Sequence, residues 1–417
     1  MKSAQIESML AEVVGADHVE KVGESFLARP ANTQEVAELV RKLKRQGVKL
    51  GVVGGNSSGI LQSGADVFVS LSRMNQILDL DRDNMVVLVQ AGMITWDFQK
   101  TLLEQGLYFP VDPFSRERSS LGGNVACRAS GPTMMSHGET VDFLLGLTAV
   151  LPTGEILRVG GKNYKNVAGL DLNRIYGGSR GRLGIITELF LRILPKPEVS
   201  STIFVPFSSI VEAAERCSAL TTSGIIPNKM ELIDETMLKK LGDQWPAEYR
   251  SSAVALIEVE GYRESIEHQI EIVTGGLNRG EKGQYQVLND EEEAKLWQAR
   301  TQLAEVINSD ECHFLHLVVD PTVLSQAVEE IVQKAAAESW PLGLVLHGSA
   351  SHIHPVLLDV SSEKKQSLDM FLADLMKKLG GRLVPKALTI DPGAEDLNTV
   401  LFSRLIQVFD PQGLMAG

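Results

Sequence analysis

The sequence predicts an α+β protein in two parts, on three observations. At 417 residues the chain is longer than one hydrophobic core usually serves. A break falls at residues 195–199, PKPEV, where two prolines among charged residues fit a linker. Beyond it strand-like and helix-like runs alternate, the pattern of a domain that lays helices on an antiparallel sheet.

The first fifteen residues, MKSAQIESMLAEVVG, carry acidic side chains where a signal peptide would need an unbroken apolar stretch, and read as an amphipathic helix. Residues 32–46 are a second helix. Asn32 caps it, Glu35 stands three positions on, and Val36, Leu39, Val40 and Leu43 form its apolar stripe. Short strands follow at 48–53 and 67–71. Residues 76–92 alternate around an Asp-Arg-Asp-Asn turn and predict a hairpin. A helix at 95–107 ends near Gly106. The glycine-rich stretch 119–194 holds strand-like runs at 147–151, 155–159 and 184–193. In the second part strands at TIFVPF, VALIEVEG, HFLHLVV, GLVLHG and HIHPVLLDV interleave with helices, among them 322–338 and 362–378. A last helix at 395–409 is expected to return to the first domain.

Composition narrows the function. A formal charge of −13 argues against nucleic acid, whose phosphates want clustered Lys and Arg. No apolar run approaches the roughly 20 residues of a membrane helix. Cys127, Cys217 and Cys312 form no CxxC pair, which argues against a disulfide framework or an iron–sulfur cluster. The expectation is a soluble cytoplasmic protein, with peripheral association at the inner membrane through a partner left open.

Three glycine clusters carry the chemistry. Val53-Gly54-Gly55-Asn56-Ser57-Ser58-Gly59 follows a strand. It is either a plain turn or a nest of backbone N–H groups for a pyrophosphate. Its spacing fits neither a Walker loop nor GxGxxG. Ser119-Ser120-Leu121-Gly122-Gly123-Asn124-Val125-Ala126, with Ala129-Ser130-Gly131-Pro132, places two small-residue turns close together and suits a backbone lying against a flat ligand. Tyr176-Gly177-Gly178-Ser179-Arg180-Gly181-Arg182-Leu183-Gly184-Ile185-Ile186-Thr187 feeds an apolar strand.

Read in order, these segments resemble the FAD-binding domain of the vanillyl-alcohol oxidase / p-cresol methylhydroxylase superfamily. Within it they look most like glycolate oxidase flavin subunits and D-lactate and D-2-hydroxyglutarate dehydrogenases. The resemblance is strong over about 27–197 and weak beyond. It implies a two-part p-cresol methylhydroxylase-type FAD-binding domain over 1–197, a ferredoxin-like α+β cap with an antiparallel sheet over 198–390, and a returning C-terminal helix in 391–417. It implies FAD with its pyrophosphate on Val53, Gly54, Gly55, Asn56, Ser57 and Ser58, and with Pro113, Ser120, Gly122, Gly123, Ala126, Gly131, Gly184 and Ile186 lining the rest. The chain departs from the family at Asn56-Ser57-Ser58, where relatives have Gly-Thr-Gly, and at Arg180 and Arg182, which replace Glu and Thr. No covalent flavin tether is evident, and Cys127 reads as a small buried residue.

In the second part, Leu296-Trp297-Gln298-Ala299-Arg300 resembles an LWxxR segment whose arginine binds a substrate carboxylate. A guanidinium fork suits that task, and a surface arginine one turn from a core tryptophan is the alternative. His347-Gly348-Ser349-Ala350-Ser351-His352-Ile353-His354 resembles the family's GHAGDGNLH. That likeness implies His347 and His354 as ligands of a divalent metal (zinc, manganese or iron) that orients a hydroxy acid. The family's third ligand, a glutamate, and its adjacent catalytic histidine are absent from Gly380–Leu388, where Lys386 takes the glutamate's place. A cation there repels a dication, so the sequence weighs against the metal, with Lys386 binding substrate oxygens instead. The proton acceptor would then be His352 or His354.

Two functions follow from the resemblance. One is an FAD-dependent 2-hydroxy acid (glycolate or D-lactate) dehydrogenase, moving a hydride from Cα to flavin N5 and passing electrons to a flavoprotein or iron–sulfur subunit. The other is a non-catalytic FAD-binding companion subunit for electron transfer or assembly.

Overall fold

The computed structural model describes residues 3–56, 64–164, 170–278, 284–307, 309, 311–348, 351–358, 361–384 and 397–416. Ser57, Ser58 and Lys386 lie outside the described residues.

The first part is made of two sheets. Local signals set its pieces: Asn32 caps the helix Thr33–Arg45 by accepting from Glu35 N, and Glu35 returns a carboxylate to Ala31 N. That helix buries Val36, Ala37, Leu39, Val40 and Leu43. A four-stranded sheet runs in the order Val19–Val22, Ser25–Ala28, Val67–Ser70, Leu50–Val53, its last two pairings parallel. A five-stranded antiparallel sheet runs Ile77–Asp81, Val86–Gln90, Ile185–Arg192, Leu144–Val150, Ile156–Gly160, and its first two strands are the expected hairpin. One hydrophobic core spans both sheets and takes in Ile406, Leu414 and Met415 from the chain's end. The helix Leu397–Phe409 lays Phe409 against Tyr176, and Leu50 N donates to Leu414 O at 3.0 Å.

The segment 195–199 is less of a free linker than its prolines suggest. Leu194–Pro195 pairs with Leu107–Tyr108, and a nine-residue strand begins at Val199. Proline has no N–H to donate, so it sits at the end of a two-residue strand without cost to a ladder.

The second part is a nine-stranded antiparallel sheet. Its central run is Val199–Phe207, Ala253–Gly261, Lys229–Asp234, Leu342–His347, His352–Leu357, His316–Val318 and Arg382–Val384. Alternation sorts the two faces. Met230, Leu232, Leu344, Leu346, Ile353, Leu357 and Leu317 enter a core beneath the helices Ile210–Thr222, Leu324–Ala337 and Ser362–Leu379. Ile233, Val345 and Val356 point the other way, towards the helix Asp290–Thr301 and Phe114 of the first part. On that second face the same alternation places Glu231, His347, His352, His354 and His316.

Candidate functional site

The three glycine clusters, far apart in sequence, meet around the short helix Leu121–Cys127. Ser120 caps it and receives Gly123 N at 3.2 Å and Gly55 N at 3.3 Å, joining the first cluster to the second. Gly178 N donates to Val125 O and Arg180 N to Ala126 O, bringing in the third. Gly122 N donates to Ala91 O at 2.8 Å. Pro113 and Gly131 are buried together: a Cβ on Gly131 would stand 2.1 Å from Asp112 O. A Cβ on Gly55 would stand 1.7 Å from Arg118 O. Neither position tolerates a side chain.

Val53, Gly54, Gly55, Gly123 and Ala126 are half-buried, Asn56 is exposed with φ 48°, and Gly184 and Ile186 are buried at the start of the strand Ile185–Arg192. The result is a shallow surface of small residues and backbone whose Cβ-sized gaps are already filled, the form a flat dinucleotide needs. One expectation fails here. Cys127 is exposed, not buried, because the helix ends at it and Arg128 turns away at φ 52°.

A second constellation lies where the sheet's second face meets residues 112–118. Arg300, on the helix Asp290–Thr301, is wholly buried and not on the surface. Its Nε donates to Glu231 Oε1 at 3.4 Å and its Nη1 to Asp112 O at 3.3 Å; Nη2 has no partner among the described residues. Asp112 also receives Arg116 Nη1 at 3.0 Å. Burial pushes the Asp112 carboxyl up, but Arg116, Arg300 and Lys229 outweigh it and hold it below the usual range. Phe114 lies under Arg300, its ring centroid 4.1 Å from the guanidinium carbon.

Glu231 turns its other oxygen to His347 Nδ1 at 2.8 Å. A carboxylate shared with Arg300 can only accept, so Nδ1 carries the proton and Nε2 is left as a proton acceptor. His352 and His354 face His316. The register that sets Leu317 against Ile353 brings His316 opposite His354, and His316 Nε2 lies 3.0 Å from His352 Nδ1. Burial, then the neighbouring charges, lowers His316 to about 4 and His352 to about 2, and holds His354 well below its ordinary value. All three are neutral imidazoles at physiological pH.

Of the expected site residues, Arg300, His347, His352 and His354 are therefore brought together. The set His347, His354 and a residue from 385–388 cannot be assembled from described residues. Sequence reading missed Glu231, Asp112 and His316. Only His316 left a signal, as the polar member of the alternating run Leu315-His316-Leu317.

Comparison with known proteins places these features. Residues 25–160 match the FAD binding domain family, and residues 196–384 match the C-terminal domain of FAD linked oxidases. The glycolate oxidase subunit GlcD of Bacillus subtilis is 30% identical over 367 residues, covering 85% of this chain and 78% of that protein. A D-lactate dehydrogenase of Anaerostipes hadrus is 30% identical over 307 residues, covering 70% and 64%. Among solved structures, p-cresol methylhydroxylase superposes with a TM-score of 0.76 at 16% identity, covering 99% of this chain and 95% of that one. An alkyldihydroxyacetonephosphate synthase superposes at 0.75 and 18%, covering 100% and 85%. No helix among the described residues is long and apolar enough to cross a membrane.

Proposed function

The chain belongs to the FAD-linked oxidoreductases of the glycolate oxidase and D-lactate dehydrogenase type, and from that premise we propose that it oxidises a small 2-hydroxy acid to the 2-oxo acid. The observation that carries this is the buried chain Arg300–Glu231–His347, which sets an anion-binding group and a proton acceptor side by side. FAD supplies the hydride acceptor. Val53–Ser58, Pro113, Ser120, Gly122, Gly123, Ala126, Gly131, Gly184 and Ile186 hold it, within a FAD-binding unit of 1–197 completed by 391–417 and capped by 198–390.

The residues of the cap do the rest. Arg300 offers Nη2 to the substrate carboxylate while Glu231 and Asp112 fix the guanidinium plane. His347 Nε2 takes the hydroxyl proton, its tautomer set by Glu231. His352 and His354, the acceptors expected from sequence, face His316 instead. Phe114 and Phe314 pack their rings against His347 and His354. Electrons then leave to a flavoprotein or iron–sulfur partner subunit.

A companion-subunit role without substrate chemistry is the second reading, favoured by the missing glutamate and histidine in 380–388. Anaerobic titration with glycolate and both lactates decides between them. Bleaching of the flavin absorbance by one of these acids supports the proposal. Flavin that only dithionite reduces rejects it, and recovery of the chain in complex with a redox subunit then supports the companion role.

A further inference from the structure

We propose that Phe114 sets the length of acid this chain accepts: its ring limits the group carried on the substrate's Cα to hydrogen or methyl, and a small cavity behind the ring is a side-chain pocket that it closes off. The inference rests on the 2-hydroxy acid reading and adds to it the residue that determines substrate size.

The first observation is where the ring lies. Its centroid is 4.1 Å from the Arg300 guanidinium carbon, 5.2 Å from the ring of His347 and 5.8 Å from that of His354. Cα of a 2-hydroxy acid is bonded to both the carboxylate carbon and the hydroxyl oxygen. With the carboxylate on Arg300 and the hydroxyl on His347, Cα comes between those two side chains, and the ring that touches both borders it. Whatever else Cα carries must fit beside Phe114.

The second observation is the space beyond. Phe114 also lines a cavity of about 50 Å³ at the seam between the two parts. Ser115 and Arg118 line it from the first part, and Thr301, Gln302, Ala304 and Glu305 from the cap. Ser115 follows Phe114 in the chain and Thr301 follows Arg300, so the cavity adjoins the very pair that the ring and the guanidinium form. One water needs roughly 10–15 Å³ of such space, so a short stretch of chain fits there once the ring is gone. Phe114 is the partition between the buried polar centre and this room.

The third observation is that the partition is held. Asp112 O accepts from Arg300 Nη1 at 3.3 Å and Pro113 O from Arg116 N at 3.1 Å, which ties the backbone just before Phe114. Ser115 O accepts from Arg118 N at 2.8 Å and Ser119 N at 2.7 Å, which ties it just after. The proline fixes its own φ, and the guanidinium attracts the ring face. A wall secured on both sides rejects an oversized group, because forcing extra methylenes into filled space is costly.

The test uses the FAD-loaded full chain and reads binding and turnover separately. Straight-chain carboxylates from acetate to hexanoate are titrated against the flavin absorbance, and glycolate, lactate and 2-hydroxyhexanoate are tried anaerobically as reductants. In the wild type, carboxylates longer than propionate gain no affinity, and 2-hydroxyhexanoate fails to reduce the flavin. In Phe114→Ala each methylene that finds room tightens binding roughly fourfold, so the ratio of hexanoate to acetate affinity rises at least roughly tenfold, and 2-hydroxyhexanoate reduces the flavin. Ala304→Leu added to Phe114→Ala fills the cavity and cuts that gain. A ring with a merely structural role lowers the affinity for every length alike, so an unmoved ratio overturns the proposal. A wild type that already binds hexanoate in proportion to its length, or binds no carboxylate, also overturns it. Should Phe114→Ala lose its flavin, Phe114→Leu keeps an apolar side chain and must raise the same ratio. If no hydroxy acid bleaches the wild-type flavin, the hydroxy-acid reading falls, and the carboxylate ratio still decides the role of Phe114.

Discussion

Gly55→Ala isolates the contact on which the cofactor loop depends. The added Cβ would stand 1.7 Å from Arg118 O and 2.7 Å from its carbonyl carbon, both backbone atoms that cannot rotate away. Contacts under 3.0 Å essentially never occur, so loop and neighbour must separate by at least 1.3 Å, the difference between 3.0 and 1.7. That displacement breaks the 3.3 Å bond from Gly55 N to Ser120 Oγ, the link between the first two glycine clusters. Strain of this kind costs about 1–3 kcal/mol, which is roughly 5-fold to 150-fold in the dissociation constant if it falls on the bound state. Flavin fluorescence titration of the apoprotein reads that constant directly. Gly275→Ala is the control, because Gly275 is helical with nothing within 4 Å of its would-be Cβ. It should leave FAD affinity alone and raise stability by up to about 1 kcal/mol. Gly55→Ala chains that bind FAD with wild-type affinity and stoichiometry would refute the reasoning.

Other outcomes follow from the buried charges. Arg300→Ala strands the buried Glu231 without its cation, while Asp112 keeps Arg116, and should cost about 3–5 kcal/mol in a denaturant titration; a loss below 1 kcal/mol would show that the guanidinium is not a buried bridge. Glu231→Gln keeps a hydrogen-bonding oxygen but can turn its amide towards His347 and reverse the tautomer, so the rate of flavin reduction should fall about 10–100-fold with flavin content unchanged; an unaltered rate removes His347 from the proton path. Asp234 caps the helix Glu235–Leu241, and burial raises its carboxyl to about 7. Its folded value lies above the unfolded 3.8, so the folded protein holds this proton longer, and its contribution to stability declines as pH rises from about 4 to 7, at most about 1.4 kcal/mol per pH unit. Asp234→Asn has nothing to titrate, so its stability relative to wild type should climb across that window in thermal melts; a pH-independent difference would place the Asp234 value near 3.8.

What could be read from the sequence was local. Asn32 with Glu35, the Asp81–Asn84 turn and the glycine clusters each announce themselves within a few residues, because caps, turns and close backbone approach are short-range chemistry. That the three clusters serve one cofactor was carried by the family resemblance, and that they meet around one helix, Leu121–Cys127, was not read from the sequence at all. The second constellation was only half legible. Arg300 and the histidines of 347–354 stood out as residue types, but Glu231 lies 116 residues from His347 and Asp112 188 from Arg300, pairings that strand order alone creates. His316 sat in an apolar strand, where alternation told its face and not its company. The proline-marked break lies where the strand of the second part begins at Val199, but the pairing of Leu194–Pro195 with Leu107–Tyr108 just before it left no local signal.

The pairing of Leu50 with residues 414–416 has a consequence for the order of biosynthesis. Leu50–Val53 is the outer strand of its sheet, and on its open side Leu50 N meets Leu414 O while Ala416 N meets Leu50 O, with Asp410 receiving Leu414 N and Met415 N. These residues leave the ribosome only after the whole cap has been made. Until then the strand that leads into the Gly54-Gly55 loop emerges with a bare edge, open to mispairing with other nascent chains. The edge that leads into the flavin loop is thus closed only by residues made after the cap, and it stays bare for as long as the cap is being synthesised.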